Sequence, residues 1–277
     1  ITGLVASPTG TAAGHLEGVA SGHPLPTAGS LEAGERLLAL AGGAGSHDLV
    51  LVLVSGGGSA LAESPLPGLA LSDLEAVNRA LLHSGAPITE INTVRRHLSA
   101  FKGGRLAAAA APATVATLIL SDVIGSPLEA IAGGPTVPDP TTFADALAVL
   151  ERWRVVVPPA VDRVLASGRA ERLPDTPQGG AGFGGPVVIV ADGAAAAAGA
   201  AAAASARGIE ARVVSTTVAG EARLVGGRLA ATARRLRPGG MAVYAGETTV
   251  TVTGGGRGGR NQELALAAGL ALERSRT

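Results

Sequence analysis

A run of three glycines flanked by serines has the composition of a backbone anion site. The run comprises Ser55, Gly56, Gly57, Gly58 and Ser59, and it follows an apolar segment typical of a buried strand. Because glycine has no side chain, successive N–H groups in such a turn can converge on one phosphate or carboxylate, and a following helix would add its positive N-terminus. A tight turn is the alternative, but it usually needs one glycine rather than three. The pattern favours anion binding, and a glycine-rich turn alone is a weak signal.

A second group of polar residues lies within residues 90–104. If this segment is helical throughout, one polar stripe beside an apolar stripe comprises Asn92, Arg95 or Arg96, Ser99 and Lys102. Arginine binds a carboxylate through two parallel N–H groups, whereas lysine is a compact charge suited to phosphate oxygens. Lys102 is the single lysine among 22 basic residues, which favours a site that needs its compact charge, and chance survival of one surface lysine is the alternative. A solvated helix face is the alternative interpretation.

Carboxylates that could hold a divalent cation follow or adjoin predicted strands. Asp122 comes directly after an apolar run, and Glu247 lies between two such runs. Mg²⁺ typically takes one or two protein carboxylates and completes its shell with substrate phosphates and water. Helix capping is the alternative for Asp122. The proline-rich loop Gly133–Pro140 would hold Thr136 and Asp139 in place, although rigidity does not itself show function.

Another glycine-rich turn, Gly254–Gly259, precedes Arg260 and Asn261. Asn261 is a plausible helix N-cap, so the helix dipole, the turn amides and a guanidinium group would together favour phosphate. Arg260 is a candidate for stabilising the charge of a transferred group. A flexible basic linker is the alternative, and the predicted strand before the turn and the helix after it argue against a linker.

The elements that must position these groups alternate between strands and helices. Continuous apolar runs predict strands buried on both faces, and Ser72 with Glu75 predicts a capping box for a helix that Gly85 ends. This alternation predicts the α/β class with a Rossmann-like, doubly wound, mostly parallel sheet. The predicted strands are Asp48–Val54, Thr114–Leu120, Val187–Val190, Met241–Gly246 and Thr248–Thr253, and the predicted later helices are Phe143–Trp153, a buried helix at Ala194–Arg207, and one from about Asn261.

Composition excludes several classes of function. The formal net charge is zero, so the chain has no bulk attraction to nucleic acid or to an anionic membrane. The absence of cysteine removes disulfides, thiolate metal sites and thiol catalysis, and it suits a reducing compartment such as the cytoplasm. No apolar run approaches the length of a membrane span.

Several anion sites and candidate magnesium carboxylates favour phosphoryl transfer, in which catalysis is mainly positioning and charge neutralisation. The sequence contains no G-x-x-x-x-G-K-[ST] motif, so the chain is not a P-loop enzyme. No predicted strand is followed by G-x-G-x-x-G with an acidic residue downstream, which counts against a dinucleotide-dependent oxidoreductase. The residues alone do not name the acceptor of the phosphoryl group.

The motifs resemble, in order and spacing, the successive signatures of the glycerate 2-kinase family, whose C-terminal part is the MOFRL domain. The segments that carry the resemblance are Leu53–Leu61, Asn92–Gly104, Ser121–Val123, Gly133–Asp139 and Gly246–Glu263. The resemblance implies phosphorylation of D-glycerate to 2-phospho-D-glycerate with ATP and Mg²⁺. It also implies a Rossmann-like domain at residues 1–180 and a smaller α/β MOFRL region at residues 186–277, with residues 173–186 as a linker or inserted loop. Members of the family usually extend further at both ends, so we expect a truncated chain.

With this resemblance, each candidate residue receives a hypothetical role. The catalytic candidates are Lys102, Asp122 and Arg260, with Asp122 and Glu247 as metal ligands; the candidates for binding substrate or phosphate are Ser55, Gly56, Gly57, Gly58, Ser59, Asn92, Arg95, Thr136, Glu247 and Asn261. The partners expected are small molecules, with no nucleic acid and no membrane, for a monomer or homodimer. Two alternatives stay open, namely an NAD(P)-dependent hydroxypyruvate reductase and a non-catalytic nucleotide-binding remnant.

Overall fold

The structure, a computed structural model, describes residues 1–273. The chain forms two compact units. Unit 1 comprises Ile1–Ile119 and Leu128–Ile189, and unit 2 comprises Leu120–Pro127 and the chain from Val190 on. Among the described residues, no helix is both long enough and apolar enough to cross a lipid bilayer.

Strands and helices alternate along the described chain. In chain order they are β1 (Leu4–Ser7), β2 (Glu17–Ala20), α1 (Ala28–Gly42), β3 (Leu49–Val54), α2 (Gly58–Leu61), α3 (Leu71–Ser84), α4 (Ile88–Arg96), α5 (Arg105–Ala109), β4 (Thr114–Leu120), a 3₁₀ turn (Ile131–Gly133), α6 (Phe143–Arg152), α7 (Pro159–Arg169), β5 (Val187–Ala191), α8 (Gly193–Ser205), β6 (Ala211–Glu221), α9 (Ala222–Ala233), β7 (Met241–Thr249) and α10 (Arg260–Glu273).

The strands form parallel sheets, which confirms the predicted α/β class. β1 pairs with β2, β3 with β4, and β6 with β7, all in parallel, and β5 completes the order β3-β4-β5. The prediction that β3 is buried on both faces is wrong. Leu49, Leu51 and Leu53 are each more than half exposed. Val50 and Val52 on the other face pack against the core cluster to which α1 and α5 contribute, so only one face of β3 is covered.

The helix at residues 71–84 starts differently from its prediction. Its N-cap is Ala70, whose N–H donates to the Asp73 carboxylate at 2.9 Å, so Ser72 and Glu75 do not form the capping box. Asp73 stands at the third helical position, where a carboxylate reaches back to the cap most easily. Gly85 ends the helix in the left-handed conformation, with φ of 80°, as predicted.

The helix predicted to run through Lys102 ends earlier, at Arg96. Beyond it, the Ser99 hydroxyl accepts hydrogen bonds from the backbone N–H groups of Phe101 and Lys102, at 3.1 and 3.2 Å. Gly103 then has φ of 58°. These side-chain-to-backbone bonds stabilise a turn instead of another helical step, so the predicted continuous polar stripe does not exist. Apolar residues of the predicted stripe, including Val94 and Leu98, nevertheless lie in the core with α6 and α7.

In unit 2, the strand β6 was not predicted, and the two strands predicted at residues 241–253 are one. β7 continues through Gly246 and ends at Thr249, and its pairing with β6 shifts register twice between the pairs Val213–Val243 and Val218–Gly246. Thr251 does not extend the strand, because its N–H and hydroxyl both donate to the Glu221 carboxylate, at 3.1 and 3.2 Å.

The predicted alanine-rich helix is present as α8, but only Ala197 and Ala204 are buried, so its prediction as a buried helix is wrong. Residues 173–186, predicted as a linker or loop, form neither helix nor strand. They are nevertheless attached to unit 1, since the Asp175 carboxylate accepts from the N–H of Phe143 at 2.7 Å. The domain boundary at residues 180–186 stays a prediction.

Candidate functional site

A cavity of about 380 Å³ lies within unit 1, between α3, α4, the turn after β3 and the segment around His23. Part of its wall is apolar and includes Val77 and Leu98. The polar side chains that line it are His23, Ser59, Glu63, Glu75, Asn78, Arg79, Arg95 and Lys102. Its volume and mixed lining are those of a site for a small molecule.

The first glycine-rich turn forms one edge of this cavity. Gly57 has φ of 83°, and a Cβ added to it would lie 2.8 Å from the His23 ring, so the position requires glycine. Among residues 1–273, the N–H groups of Gly58 and Ser59, which open α2, have no hydrogen-bond acceptor. Helix α2 is a single turn of 4 residues, so the helix dipole predicted to support anion binding is small. Ser55 and Gly56 are exposed and do not line the cavity.

Lys102 lies at the cavity, but its ammonium group is already paired. The side chain is 2% exposed, and its Nζ donates to the carboxylate of Glu63, which is 9% exposed. The same carboxylate accepts from the Ser99 hydroxyl at 2.5 Å and from the N–H of Ser64 at 3.0 Å. Gly133 makes room for the lysine stem, since a Cβ there would lie 2.6 Å from the Lys102 Cδ. Lys102 is therefore a neutralised cation, unlike the free charge that the sequence suggested.

The two neighbouring arginines of α4 have different partners. Arg96 is buried, and its Nε donates to the Asp139 carboxylate at 2.8 Å. Burial would raise the pKa of Asp139, but hydrogen bonds from Thr141 together with the charge of Arg96 outweigh burial and hold that pKa below its ordinary value. Arg96 and Asp139 thus form a buried ion pair inside unit 1, and neither lines the cavity.

Arg95 lines the cavity and has no carboxylate partner among the described residues. Its Nε and Nη2 donate to the Asn78 amide oxygen, at 2.9 Å for Nε, and its Nη1 donates to the Asn92 amide oxygen at 3.3 Å. Burial lowers the pKa of Arg95, and the negative charge of Glu63 partly offsets this effect. Since arginine stays protonated in proteins, this side chain carries a partly desolvated positive charge into the cavity.

Two predicted binding residues lie away from the cavity. Asn92 is buried, and its amide oxygen accepts a hydrogen bond from the Arg95 Nη1. Thr136 is also buried, and its hydroxyl accepts from the Thr117 hydroxyl at 2.9 Å. Neither residue lines the cavity.

The remaining candidates lie in unit 2. Arg260 and Glu247 form an ion pair of 2.6 Å, with both side chains partly exposed. Asn261 is exposed and stands inside the first turn of α10, whose first hydrogen bond runs from Glu263 to the Gly259 carbonyl, so Asn261 is not the N-cap. Asp122 is exposed. The described part of the chain contains no group of three or more His, Cys, Asp or Glu side chains that could hold a metal ion.

Sequence reasoning missed several polar residues of the cavity, namely His23, Glu63, Glu75, Asn78 and Arg79. A signal for Asn78 was available, because it is one of only three asparagines in the chain and the other two lie in recognised motifs. Glu63 and His23 carry no comparable local signal. Their role at the cavity depends on contacts with residues distant in sequence.

Comparison with known proteins places these features in a family. Residues 1–166 match the family described as a domain of unknown function, DUF4147, and residues 240–277 match the MOFRL family. A putative hydroxypyruvate reductase of Agrobacterium vitis is 43% identical over 99% of this chain and 64% of its own length. The D-glycerate 2-kinase of Thermotoga maritima is 39% identical over 94% of this chain and 64% of its own length.

A solved structure extends the likeness to the fold. The crystal structure of glycerate kinase from Thermotoga maritima superposes with a TM-score of 0.80, at 38% identity, over 98% of this chain and 66% of that one. The chain thus spans about two thirds of the length of these relatives. Since the first family match covers more than half of the chain and the structural likeness covers nearly all of it, the chain belongs to the glycerate kinase family, with the DUF4147 and MOFRL regions of that family.

Proposed function

We propose that this protein phosphorylates D-glycerate with ATP and Mg²⁺ in the cytoplasm, giving 2-phospho-D-glycerate and ADP. The observation that carries the proposal is the cavity of unit 1, where the cation of Arg95 has no carboxylate partner among the described residues. D-glycerate is a small monocarboxylate, and a charge-assisted bond to an arginine is the usual way to bind such a group. The names of the relatives support the reaction.

In this proposal, the carboxylate of D-glycerate binds Arg95. The free N–H groups of Gly58 and Ser59 and the Ser59 hydroxyl would bind further oxygens of the substrates, while Lys102 stays paired with Glu63. During transfer, a hydroxyl oxygen of D-glycerate forms a bond to the γ-phosphorus of ATP, and the bond from that phosphorus to the β,γ-bridging oxygen breaks, so ADP leaves with that oxygen. The hydroxyl proton passes to water.

The residues of unit 2 would act on the phosphates. Asp122 is exposed and has no hydrogen-bond partner among residues 1–273, so its carboxylate is available as a ligand for Mg²⁺. One or two carboxylates suffice for this ion when phosphates and water supply the other ligands, and Glu247 is the second candidate. Bound Mg²⁺ would neutralise charge on the phosphates of ATP. Arg260, which now pairs with Glu247, would neutralise charge on the transferred group.

The direct test incubates the chain with ATP, Mg²⁺ and D-glycerate and identifies the product by phosphorus NMR. We expect 2-phosphoglycerate. Arg260→Met should lower kcat/KM by about tenfold or more, which corresponds to about 1.4 kcal/mol. Arg257→Met is the matched control, because Arg257 is an exposed arginine in the glycine-rich turn that precedes Arg260. This variant should keep most of the activity. A folded protein that gives no phosphorylated product would refute the proposal.

A reductase is the second candidate, because a relative 43% identical to this chain carries the name putative hydroxypyruvate reductase. Hydroxypyruvate and D-glycerate share a carboxylate, so Arg95 could bind either. Mixing the chain with hydroxypyruvate and NADH or NADPH separates the two candidates. Loss of nicotinamide absorbance would favour the reductase, and unchanged absorbance together with phosphorylation of D-glycerate would favour the kinase. Binding of ATP without either reaction would instead favour a nucleotide-binding remnant.

A further inference from the structure

The cavity of unit 1 contains a small excess of positive charge. Three cationic side chains, Arg79, Arg95 and Lys102, and two carboxylates, Glu63 and Glu75, line it. These arginine, lysine and glutamate side chains together leave one net positive charge. Arg79 is exposed, whereas the ammonium of Lys102 is buried against Glu63. The cation available to a ligand in the interior of the cavity is therefore Arg95.

The hydrogen bonds of Arg95 leave two of its N–H groups free among the described residues. A guanidinium has five N–H donors. The side formed by Nε and Nη2 is occupied by the Asn78 amide oxygen, and one N–H of Nη1 is occupied by Asn92. One N–H on each Nη nitrogen is left without an acceptor among the described residues, and such N–H groups can donate charge-assisted hydrogen bonds to a carboxylate.

Asn78 suits this arrangement because it is neutral. An aspartate at this position would have nearly the same shape and would accept the same two hydrogen bonds, but it would cancel the charge of Arg95. Asn78 instead fixes the direction of the guanidinium group and leaves its charge for a ligand. Its position on α3, 17 residues before Arg95, makes the contact a tertiary one.

Glu63 has the complementary effect on Lys102. Its carboxylate receives the Lys102 ammonium, the Ser99 hydroxyl and the Ser64 N–H, so it is held in place by three donors. Both partners of the pair are at least nine-tenths buried and both line the cavity. Without Glu63, the interior would present two free cations to a ligand and would suit a dianion.

We propose that Asn78 and Glu63 are positioning residues that make this cavity selective for monocarboxylates, Asn78 by orienting Arg95 and Glu63 by neutralising Lys102. The inference rests on the proposed function in that D-glycerate is the monocarboxylate expected. It goes further by assigning charge selectivity to two residues that need not touch the reacting atoms.

The experiment measures binding by calorimetry in the absence of nucleotide, with D-glycerate as the monocarboxylate and tartronate as the dicarboxylate of similar size. The wild-type chain should bind D-glycerate more tightly than tartronate. Asn78→Asp should weaken D-glycerate binding by about tenfold or more while the Tm is unchanged or higher, because the new aspartate pairs with Arg95. A merely structural role of Asn78 would not combine lost binding with retained stability.

Glu63→Gln tests the second half of the proposal. The freed Lys102 charge should shift the affinity ratio of the two probes towards tartronate by about tenfold or more. Because this variant leaves a buried charge unpaired and can fail to fold, Glu63→Gln combined with Lys102→Met removes both charges. The double variant should bind D-glycerate more tightly than tartronate, as the wild-type chain does.

Three results would overturn the inference. They are a wild-type chain that binds neither probe, an Asn78→Asp variant that binds D-glycerate within threefold of wild type, and a double variant that prefers tartronate. Phosphorylation assays distinguish a failure of the proposed kinase function from a failure of the inferred selectivity for monocarboxylates. Selective binding without phosphorylation would refute the kinase function alone, whereas phosphorylation by Asn78→Asp with the wild-type KM for D-glycerate would refute the inference alone.

Discussion

Substitutions of the adjacent residues Arg95 and Arg96 should affect different properties. Loss of Arg95 should weaken ligand binding, whereas loss of Arg96 should lower the stability of the fold. Arg96→Met leaves the carboxylate of Asp139, which is 1% exposed, without its cation, although Thr141 still donates two hydrogen bonds to it. Removing one partner of a buried ion pair costs about 3–5 kcal/mol. Arg95→Met removes a cation that has only amide oxygens as partners, and water in the cavity can replace it there, so we expect a loss of about 1 kcal/mol.

Trp153 provides a specific probe for this comparison. It is the only tryptophan, it packs against the core of unit 1, and its Nε1 donates to Glu90 at 2.6 Å. Urea unfolding followed by tryptophan fluorescence therefore reports on unit 1. Calorimetry with D-glycerate should rank the two variants in the opposite order, because affinity depends on Arg95 and not on Arg96. A charge-assisted hydrogen bond contributes about 1.5–3 kcal/mol, so Arg95→Met should lower the affinity by about tenfold or more. Arg96→Met should leave the affinity nearly unchanged.

A double variant tests the cause of the instability. Arg96→Met combined with Asp139→Leu removes both buried charges and should recover most of the lost free energy of unfolding. If Arg96→Met is no less stable than Arg95→Met, the assignment of the buried ion pair is wrong. If Arg95→Met binds D-glycerate as wild type does, the cavity does not use its free cation.

Two further predictions concern the surroundings of the site. Burial lowers the pKa of His97, so the folded chain binds fewer protons than the unfolded chain below the ordinary histidine pKa of 6.5, and stability should fall as pH drops below that value. The slope should reach at most about 1.4 kcal/mol per pH unit, and in urea unfolding it should disappear in His97→Gln but persist in the exposed control His47→Gln. Gly133→Ala should lower the free energy of unfolding by about 1–3 kcal/mol more than Gly85→Ala, because both positions have positive φ but only Gly133 contacts the Lys102 stem. Equal losses in the two alanine variants would contradict that packing.

The sequence alone was sufficient to predict features that depend on neighbours within a few residues. The apolar runs predicted β3 and β4, Gly85 predicted the end of α3, and the single lysine marked a residue that lines the cavity. Helical and strand periodicity, capping and turn geometry are determined by hydrogen bonds and sterics over about four residues, so a pattern in the sequence records them. Patterning was less reliable at element ends, where Asp73 and Ser99 made local side-chain bonds that compete with the regular repeat.

The charge state of the site was decided by tertiary structure. Arg95 and Arg96 are equivalent in sequence, and only the approach of Asp139, 43 residues away, pairs one of them and leaves the other free. Lys102 meets Glu63 across 39 residues, a contact that no spacing rule predicts. Electrostatic energy depends on distance in space and on desolvation, and folding sets both by packing elements that are remote in the chain. The residue types thus indicated an anion site, but only the packing of α3, α4 and the turn after β3 decided which cation is free to bind the anion.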